Sequence, residues 1–447
     1  MKKVTNKVLW IFAVGQLGWS LLSGIVVNWL VYFYQPNAEN IAAGQTLFIP
    51  QGKILFGLTV IGLIAAVGRL FDAVTDPWIA SKSDRCTHKD GRRIPFMRWV
   101  AIPFGIVTVL MFVSPLQAES HINSLFLLIM SLLFYLCMTI YCTPYNALIP
   151  ELGKTQKDRI NLSTFISVTF FLGTAIAYLL PNIAAVFTPA LGYVGALRAT
   201  IGGMATFAVV CMLVPVFAIK EKDYADTKPS QTSAFKSLSK TFANKSFLTF
   251  VKSDILYWIA LTIFQTGLPF YITSLMKLDA GMSFVLFAVM TGMSLVFYAP
   301  VNVLAKKLGK KKMVVSAFLF FSLVFFITAF SGKLGINGIA NGLLISVLAS
   351  IPMAVLGILP QAIVADIAES DAVQTHENRE GMFYAARTFA FKLGQSAAML
   401  IFTALAKIGT DGFGYRVSAV VAAVLCLIGG LVLLRYNEKK IFETLKP

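Results

Sequence analysis

The stretch Arg69-Leu-Phe-Asp72-Ala-Val-Thr75-Asp76-Pro sets one arginine and two aspartates within about two helical turns of an otherwise apolar segment. Asp72 and Asp76 are four residues apart, so on a helix both carboxylates leave one face, with Arg69 on the same side. Two ionised carboxylates this close repel, and in a low-dielectric setting each resists ionisation. A Na⁺ or Li⁺ ion held by the carboxylates and the Thr75 hydroxyl removes that strain, and a proton does so by neutralising one carboxylate. The same residues also admit a second reading, a buried ion-pair network in which Arg69 balances one aspartate and locks helix packing. Ionisable groups inside a membrane span are costly and mark ion or substrate pathways.

The chain around this cluster is a membrane chain. Of its 447 residues 57% are hydrophobic and 13% charged, where a soluble protein carries roughly 25% charged. The formal charge of +17 does not indicate nucleic acid, because the basic residues sit in short loops between apolar spans rather than on one polar face. Cys86, Cys137, Cys142, Cys211 and Cys426 lack metal-ligand spacing and read as reduced packing residues. His88, His121 and His376 fall in loops. With no phosphate loop, nucleophile–base pairing or metal cluster, the sequence predicts a non-enzymatic protein with no cofactor and no ATP-driven step. Met1-Lys-Lys-Val-Thr-Asn-Lys leads into a span of full membrane length and reads as the approach to a first span, not a removed signal.

Twelve spans of about 20 apolar residues are expected, near 8–34, 54–80, 95–115, 123–150, 161–187, 197–219, 248–275, 282–305, 313–332, 337–368, 381–408 and 414–435. Lys82, Arg85, Lys89, Arg92 and Arg93 lie in the second-to-third loop, Lys154, Lys157 and Arg159 in the fourth-to-fifth, and Lys306, Lys307, Lys310, Lys311 and Lys312 in the eighth-to-ninth. The opposite turn from Gln117 to Asn123 has no Lys or Arg. The positive-inside rule therefore puts both termini in the cytoplasm. The polar stretch 220–247 divides the chain into an N-terminal half, 1–219, and a C-terminal half, 248–447, and reads as a cytoplasmic linker with helix around Ala234–Ala243. The halves also resemble each other. Pro144-Tyr-Asn-Ala-Leu-Ile-Pro-Glu151, Arg159 and Phe170-Phe-Leu-Gly173 parallel Pro360-Gln-Ala-Ile-Val-Ala-Asp366, Arg379 and Phe391-Lys-Leu-Gly394. The predicted fold class is an all-α integral membrane protein with two six-helix halves related by an axis along the membrane normal, the major facilitator architecture, with a substrate site near the midplane.

The motif around Asp72, with Ser83-Asp84-Arg85 and Gly91-Arg92-Arg93-Ile-Pro95-Phe after it, resembles the glycoside–pentoside–hexuronide:cation symporters, the family of the melibiose carrier. Ala365-Asp366-Ile-Ala-Glu369, Arg379-Glu-Gly381-Met-Phe-Tyr384 and Phe391-Lys392-Leu-Gly394 resemble its signature over the tenth and eleventh spans. The resemblance covers the whole chain. It implies symport by alternating access, driven by Na⁺ or H⁺ with Li⁺ as a further candidate. It also implies that Asp72 and Asp76 bind the cation with Thr75 and Thr139, and that Arg69 and Lys392 form a charge network beside it. Thr75 stands where the melibiose carrier has an asparagine.

The same resemblance places the sugar site on the first, fourth, fifth, tenth and eleventh spans. Ser20 and Cys142 stand where that carrier has sugar-binding aspartates, and Asn146 where it has a tryptophan, so a galactoside specificity does not carry over. Candidate substrate residues are Gln16, Trp19, Ser20, Tyr141, Cys142, Tyr145, Asn146, Gln361, Arg387 and Gln395, with Asn28, Gln265 and Tyr271 as further polar positions. Any single aromatic among them also reads as packing. Retaining Arg387 and Lys392 while lacking those acids favours an anionic solute such as a uronide. Asp84, Arg85, Arg92, Arg93, Arg159, Asp366 and Arg379, with Glu151 and Glu369, are candidate cytoplasmic gating residues, although the arginines also serve as plain topology signals. The expected protein is thus a monomer of the bacterial inner membrane that carries a small sugar-like solute with a monovalent cation and binds no nucleic acid. Carriage of a non-sugar organic anion or lysolipid, or a non-transporting sensor role, are the alternatives.

Overall fold

The computed structural model describes residues 4–54, 57–153, 156–224, 240–375 and 380–445, with side-chain detail withheld at a few helical positions. It is all α-helix in its regular elements: α1 Asn6–Tyr34, α2 Ala38–Ala42, α3 Val60–Asp84, α4 Ile94–Leu110, α5 His121–Leu152, α6 Gln156–Tyr178, α7 Leu180–Ala218, α8 Glu221–Tyr224, α9 Lys245–Phe270 with a π-helical continuation Tyr271–Leu275, α10 Met282–Leu308, α11 Lys310–Ala329, α12 Gly338–Thr375, α13 Glu380–Leu405, α14 Phe413–Leu433 and α15 Glu438–Leu445. The chain divides into two compact units, one of residues 1–54 and 63–232, the other of 55–62 and 233–447.

Helix starts follow local polar chemistry. The Ser120 hydroxyl accepts from the Ile122 amide at α5, and the Asn244 side chain accepts from the Phe247 amide at α9. The helix surfaces are apolar: Val186 is 74% and Phe217 70% exposed. Such surfaces suit lipid and not water.

Nine described segments are long and apolar enough to cross a membrane. One of them, Asn161–Ala218, has 58 residues, about 87 Å of helix at 1.5 Å per residue, far more than one ~30 Å hydrocarbon layer needs. It is interrupted at Leu179 and again at Gly192, whose φ is 68°, and it holds the fifth and sixth expected spans. The expected second span differs at both ends, since α3 starts at Val60 and runs through Pro77 to Asp84. Its five acidic and basic residues, Arg69, Asp72, Asp76, Lys82 and Asp84, keep it out of the apolar set. The third span shortens to the 17 residues of α4, and the tenth lengthens to Thr375. Helix continues past the apolar stretch in α3 and α12 because backbone hydrogen bonding does not stop where hydropathy does. Most of Ala234–Ala243 lies outside the described residues; 240–242 are helical.

Candidate functional site

In the first unit α3 and α5 run side by side in the same direction, and their facing residues match turn for turn. A Cβ on Gly68 would stand 2.5 Å from the Tyr135 ring and 2.6 Å from the Ser131 hydroxyl, so glycine permits the close approach. One turn on, the Thr139 hydroxyl donates to Asp72 Oδ1 at 2.8 Å. A further turn on, the Thr143 hydroxyl donates to Asp76 Oδ1 at 3.3 Å, with the same sequence offset of 67 residues. Thr75 donates to the carbonyl oxygens of Phe71 (3.0 Å) and Asp72 (3.2 Å), and its oxygen lies 3.3 Å from that of Thr139. Asp72 and Thr139 are buried, at 0% and 1% exposure, while Asp76 is half-buried.

Four of the expected cation residues therefore come together, and Thr143 joins them. The signal for Thr143 was present in the sequence, since it follows Thr139 by the same four residues that separate the two aspartates. Arg69 approaches Asp72 at 3.9 Å only, and its guanidinium lies over the Tyr135 ring, 5.1 Å from the centroid. The aromatic face shares the arginine charge.

A buried arginine–aspartate pair of the other kind occupies the second unit. Arg387 donates from Nε (2.8 Å) and Nη2 (3.0 Å) to the two carboxylate oxygens of Asp254, with both residues buried. The bidentate pair engages the donor fork of Arg387 with a side chain of α9. Asp254 had not stood out because it lies near the start of an expected span, where an acid reads as interfacial. Lys392 is buried on α13, and Gln395 is half-buried on the same helix. Gln361 on α12 is exposed.

Several expected substrate residues make packing contacts and internal hydrogen bonds. Tyr141 and Tyr145 are fully buried, and their hydroxyls donate to the carbonyls of Met212 and Phe12 at 2.8 Å each. Tyr145 also stacks on Phe12 at 4.1 Å. Ser20 is 2% exposed, donates to the Leu17 carbonyl, and fills the space that a Cβ on Gly173 would need. In the second unit the hydroxyl of Tyr271 lies 3.0 Å from that of Ser418. Gln16 and Asn28 are buried on α1, Trp19 and Cys142 are half-buried, and Asn146 is exposed.

The charged loop after α3 forms one cluster. Arg92 and Arg93 both donate to Glu151 Oε1, at 3.1 and 3.2 Å, and Arg93 reaches Asp84 at 3.0 Å and the Ser83 hydroxyl at 3.2 Å. Burial raises the Glu151 carboxyl above the usual carboxylate range, Arg93 and Arg92 pull against that rise, and the charge of Glu221 adds to it. In the second unit Asp366 pairs with Lys310 at 2.6 Å. Arg85 is exposed and Glu369 lies on the exposed side of α12. The side chain of Arg159, and residues Arg379 and His376, lie outside the described set. Among the described residues no group of three or more His, Cys, Asp or Glu could hold a metal ion.

The MFS/sugar transport protein family model matches residues 11–437. The uncharacterized symporter sll1374 of Synechocystis sp. (strain ATCC 27184 / PCC 6803 / Kazusa) is 21% identical over 87% of this chain and 83% of its own length. The isoprimeverose transporter of Lactiplantibacillus pentosus is 22% identical over 58% of this chain and 54% of its own. A solved structure of the proton dependent oligopeptide transporters superposes with a TM-score of 0.70 over 99% of each chain at 13% identity, a likeness of fold. The all-α multi-pass architecture, the inner-membrane setting and the span of the family match make this chain a membrane transporter of the alternating-access type, and it belongs to the MFS/sugar transport protein family.

Proposed function

We propose that this protein is a cation-coupled symporter of a small neutral or weakly acidic glycoside, with Asp72, Asp76, Thr75, Thr139 and Thr143 as the cation-binding oxygens and Na⁺ or H⁺ as the coupling ion. The observation that carries the reading is the paired ladder of α3 and α5, in which each carboxylate faces a threonine hydroxyl while Arg69 stands 3.9 Å from Asp72. A guanidinium that locked packing would grip its acid as Arg387 grips Asp254. Two carboxylates set among hydroxyls supply the oxygen ligands that a small cation takes and the acid groups that a proton neutralises. The family description, and the name of the isoprimeverose transporter, support a sugar cargo. The reading includes twelve crossings in two six-helix halves with both termini cytoplasmic, kinship with the glycoside–pentoside–hexuronide:cation symporters, a monomer, and Gln16, Trp19, Cys142, Asn146, Gln361 and Gln395 as the polar positions left for the solute.

An organic-anion cargo is the second reading, which rests on the basic residues Arg387 and Lys392 of α13. It is weaker than the sequence suggested, because Arg387 is committed to Asp254. The test is uptake of a panel of labelled glycosides and uronides into proteoliposomes under an imposed sodium or proton gradient. Accumulation that follows one gradient and is lost in Asp72→Asn is expected. Accumulation indifferent to both gradients and retained in Asp72→Asn overturns the proposal.

A further inference from the structure

Glu221 is almost completely buried, at 1% exposure, although it lies in the most polar internal stretch of the chain. Its carboxylate accepts three consecutive backbone amides: Arg92 (2.9 Å), Arg93 (2.8 Å) and Ile94 (3.0 Å). These are free donors at the start of α4, where the helix dipole also favours negative charge. The seat exists because residue 91 is glycine. Its φ is +119°, and a Cβ there would lie 2.3 Å from Glu221 Oε2. The same turn presents Arg92 and Arg93 to Glu151.

The second unit repeats the device. Gly309 has φ +88°, and a Cβ on it would lie 2.9 Å from Glu438 Oε2. Glu438 Oε1 accepts the Lys311 amide at 3.1 Å, at the start of α11, and Lys311 Nζ donates to the Leu434 carbonyl at 2.7 Å. This turn presents Lys310 to Asp366, the acid that parallels Glu151 in the internal repeat. Glu221 follows α7 by three residues and opens α8; Glu438 follows α14 by five and opens α15.

We infer that Glu221 and Glu438 are a matched pair of carboxylate straps, one in each compact unit. Each fastens the chain that leaves the unit's last long helix onto the glycine turn carrying that unit's basic cluster. Each strap also orients the cluster, since the amides it holds belong to the residues whose side chains reach Glu151 or to the turn whose lysine reaches Asp366. The straps act within each unit and do not depend on the cargo or the coupling ion.

Hydrogen–deuterium exchange on the full chain in nanodiscs, together with limited trypsin digestion, tests this. Glu221→Ala should reduce protection of the 92–94 amides by at least about tenfold and speed cleavage after Lys222, with residues 309–313 unchanged. Glu438→Ala should do the reverse, exposing the 311 amide and the bond after Lys439 while 92–94 stay protected. If an alanine variant does not fold, Glu221→Gln and Glu438→Gln, which keep one acceptor oxygen, should give smaller rises at the same amides. Gly91→Ala should match Glu221→Ala, with the exposed Gly52→Ala as control. Unchanged protection at 92–94 in Glu221→Ala, or equal loosening of both units by either variant, overturns the inference.

Discussion

The Thr139 hydroxyl donates to Asp72 at 2.8 Å from a helix that runs parallel to the one bearing the aspartate, and the next pair along, Thr143 and Asp76, keeps the same register. The register makes the acidic pair a two-helix feature. Thr139→Val should remove a hydrogen bond to a charged acceptor, costing about 1.5–3 kcal/mol of stability. It should also cut gradient-driven accumulation, with solute binding retained. Denaturant titration and proteoliposome uptake measure the two effects; an unchanged accumulation ratio would remove Thr139 from the cation site.

Gly68→Ala tests what holds that register. Its methyl group would overlap the Tyr135 ring, and overpacking of this kind costs about 1–3 kcal/mol. Both stability and coupling should fall, and Gly68→Ala combined with Tyr135→Ala should recover part of each, because the second change empties the space the first one fills. Absence of recovery in the double variant would assign the loss to something other than helix spacing.

For Arg387 the expectation concerns folding first. Arg387→Ala leaves the Asp254 carboxylate buried and unpaired, a change that costs about 3–5 kcal/mol. Arg387→Met with Asp254→Leu should be far closer to the parent in melting temperature. A double variant that is stable yet fails to bind solute would restore Arg387 to the substrate site.

Tyr141→Phe and Tyr145→Phe each remove one hydrogen bond to a helical carbonyl, of Met212 or Phe12. Each should cost about 0.5–1.5 kcal/mol, and KM for whichever labelled solute is accumulated should be unchanged. A raised KM at full stability would return the phenols to the binding site.

Stability should also depend on pH through Glu151, which Arg92 and Arg93 face directly, with Asp84 beyond Arg93 and Glu221 nearby. Its carboxyl is raised in the folded state. Its contribution is therefore fully present below the unfolded-state value and is lost as pH rises through the raised folded-state value. The melting temperature of the parent minus that of Glu151→Gln should rise as pH falls from neutral through the raised value towards the ordinary carboxylate range. The site is partly exposed, so the slope is shallow. A difference that stays flat or falls over that range would contradict the assignment.

The acidic pair and the apolar spans were legible because each depends on neighbours within a turn or two along the chain. Asp72, Thr75 and Asp76 share a face by spacing alone, and the partner Thr139 came from the family resemblance. Tyr141 and Tyr145 were not legible in the same way. A phenol on a helix has the same local sequence whether its hydroxyl meets a cavity or a carbonyl, and the deciding partners, Met212 and Phe12, are 71 and 133 residues away. Glu221 was hidden for the opposite reason: it sits among lysines and aspartate in a polar stretch, and only the turn at Gly91 shows that it is buried. The start of α3 was misplaced because apolar residues before Val60 look like span, whereas the Thr59 hydroxyl accepts the Gly62 amide and the helix starts there.

The Asp254–Arg387 pair bears on how the chain enters the bilayer. The two residues are 133 positions apart, so at a synthesis rate of 5–20 residues per second the acid leaves the ribosome roughly ten seconds before its partner. Over that interval α9 carries the carboxylate without its arginine, near the start of the span, where the cost is below the roughly 2.5–3.5 kcal/mol of a mid-span acid. The helix therefore gains its final lateral position only when α13 emerges, and a force-sensing arrest peptide placed after α13 should record a pull that Asp254→Leu abolishes.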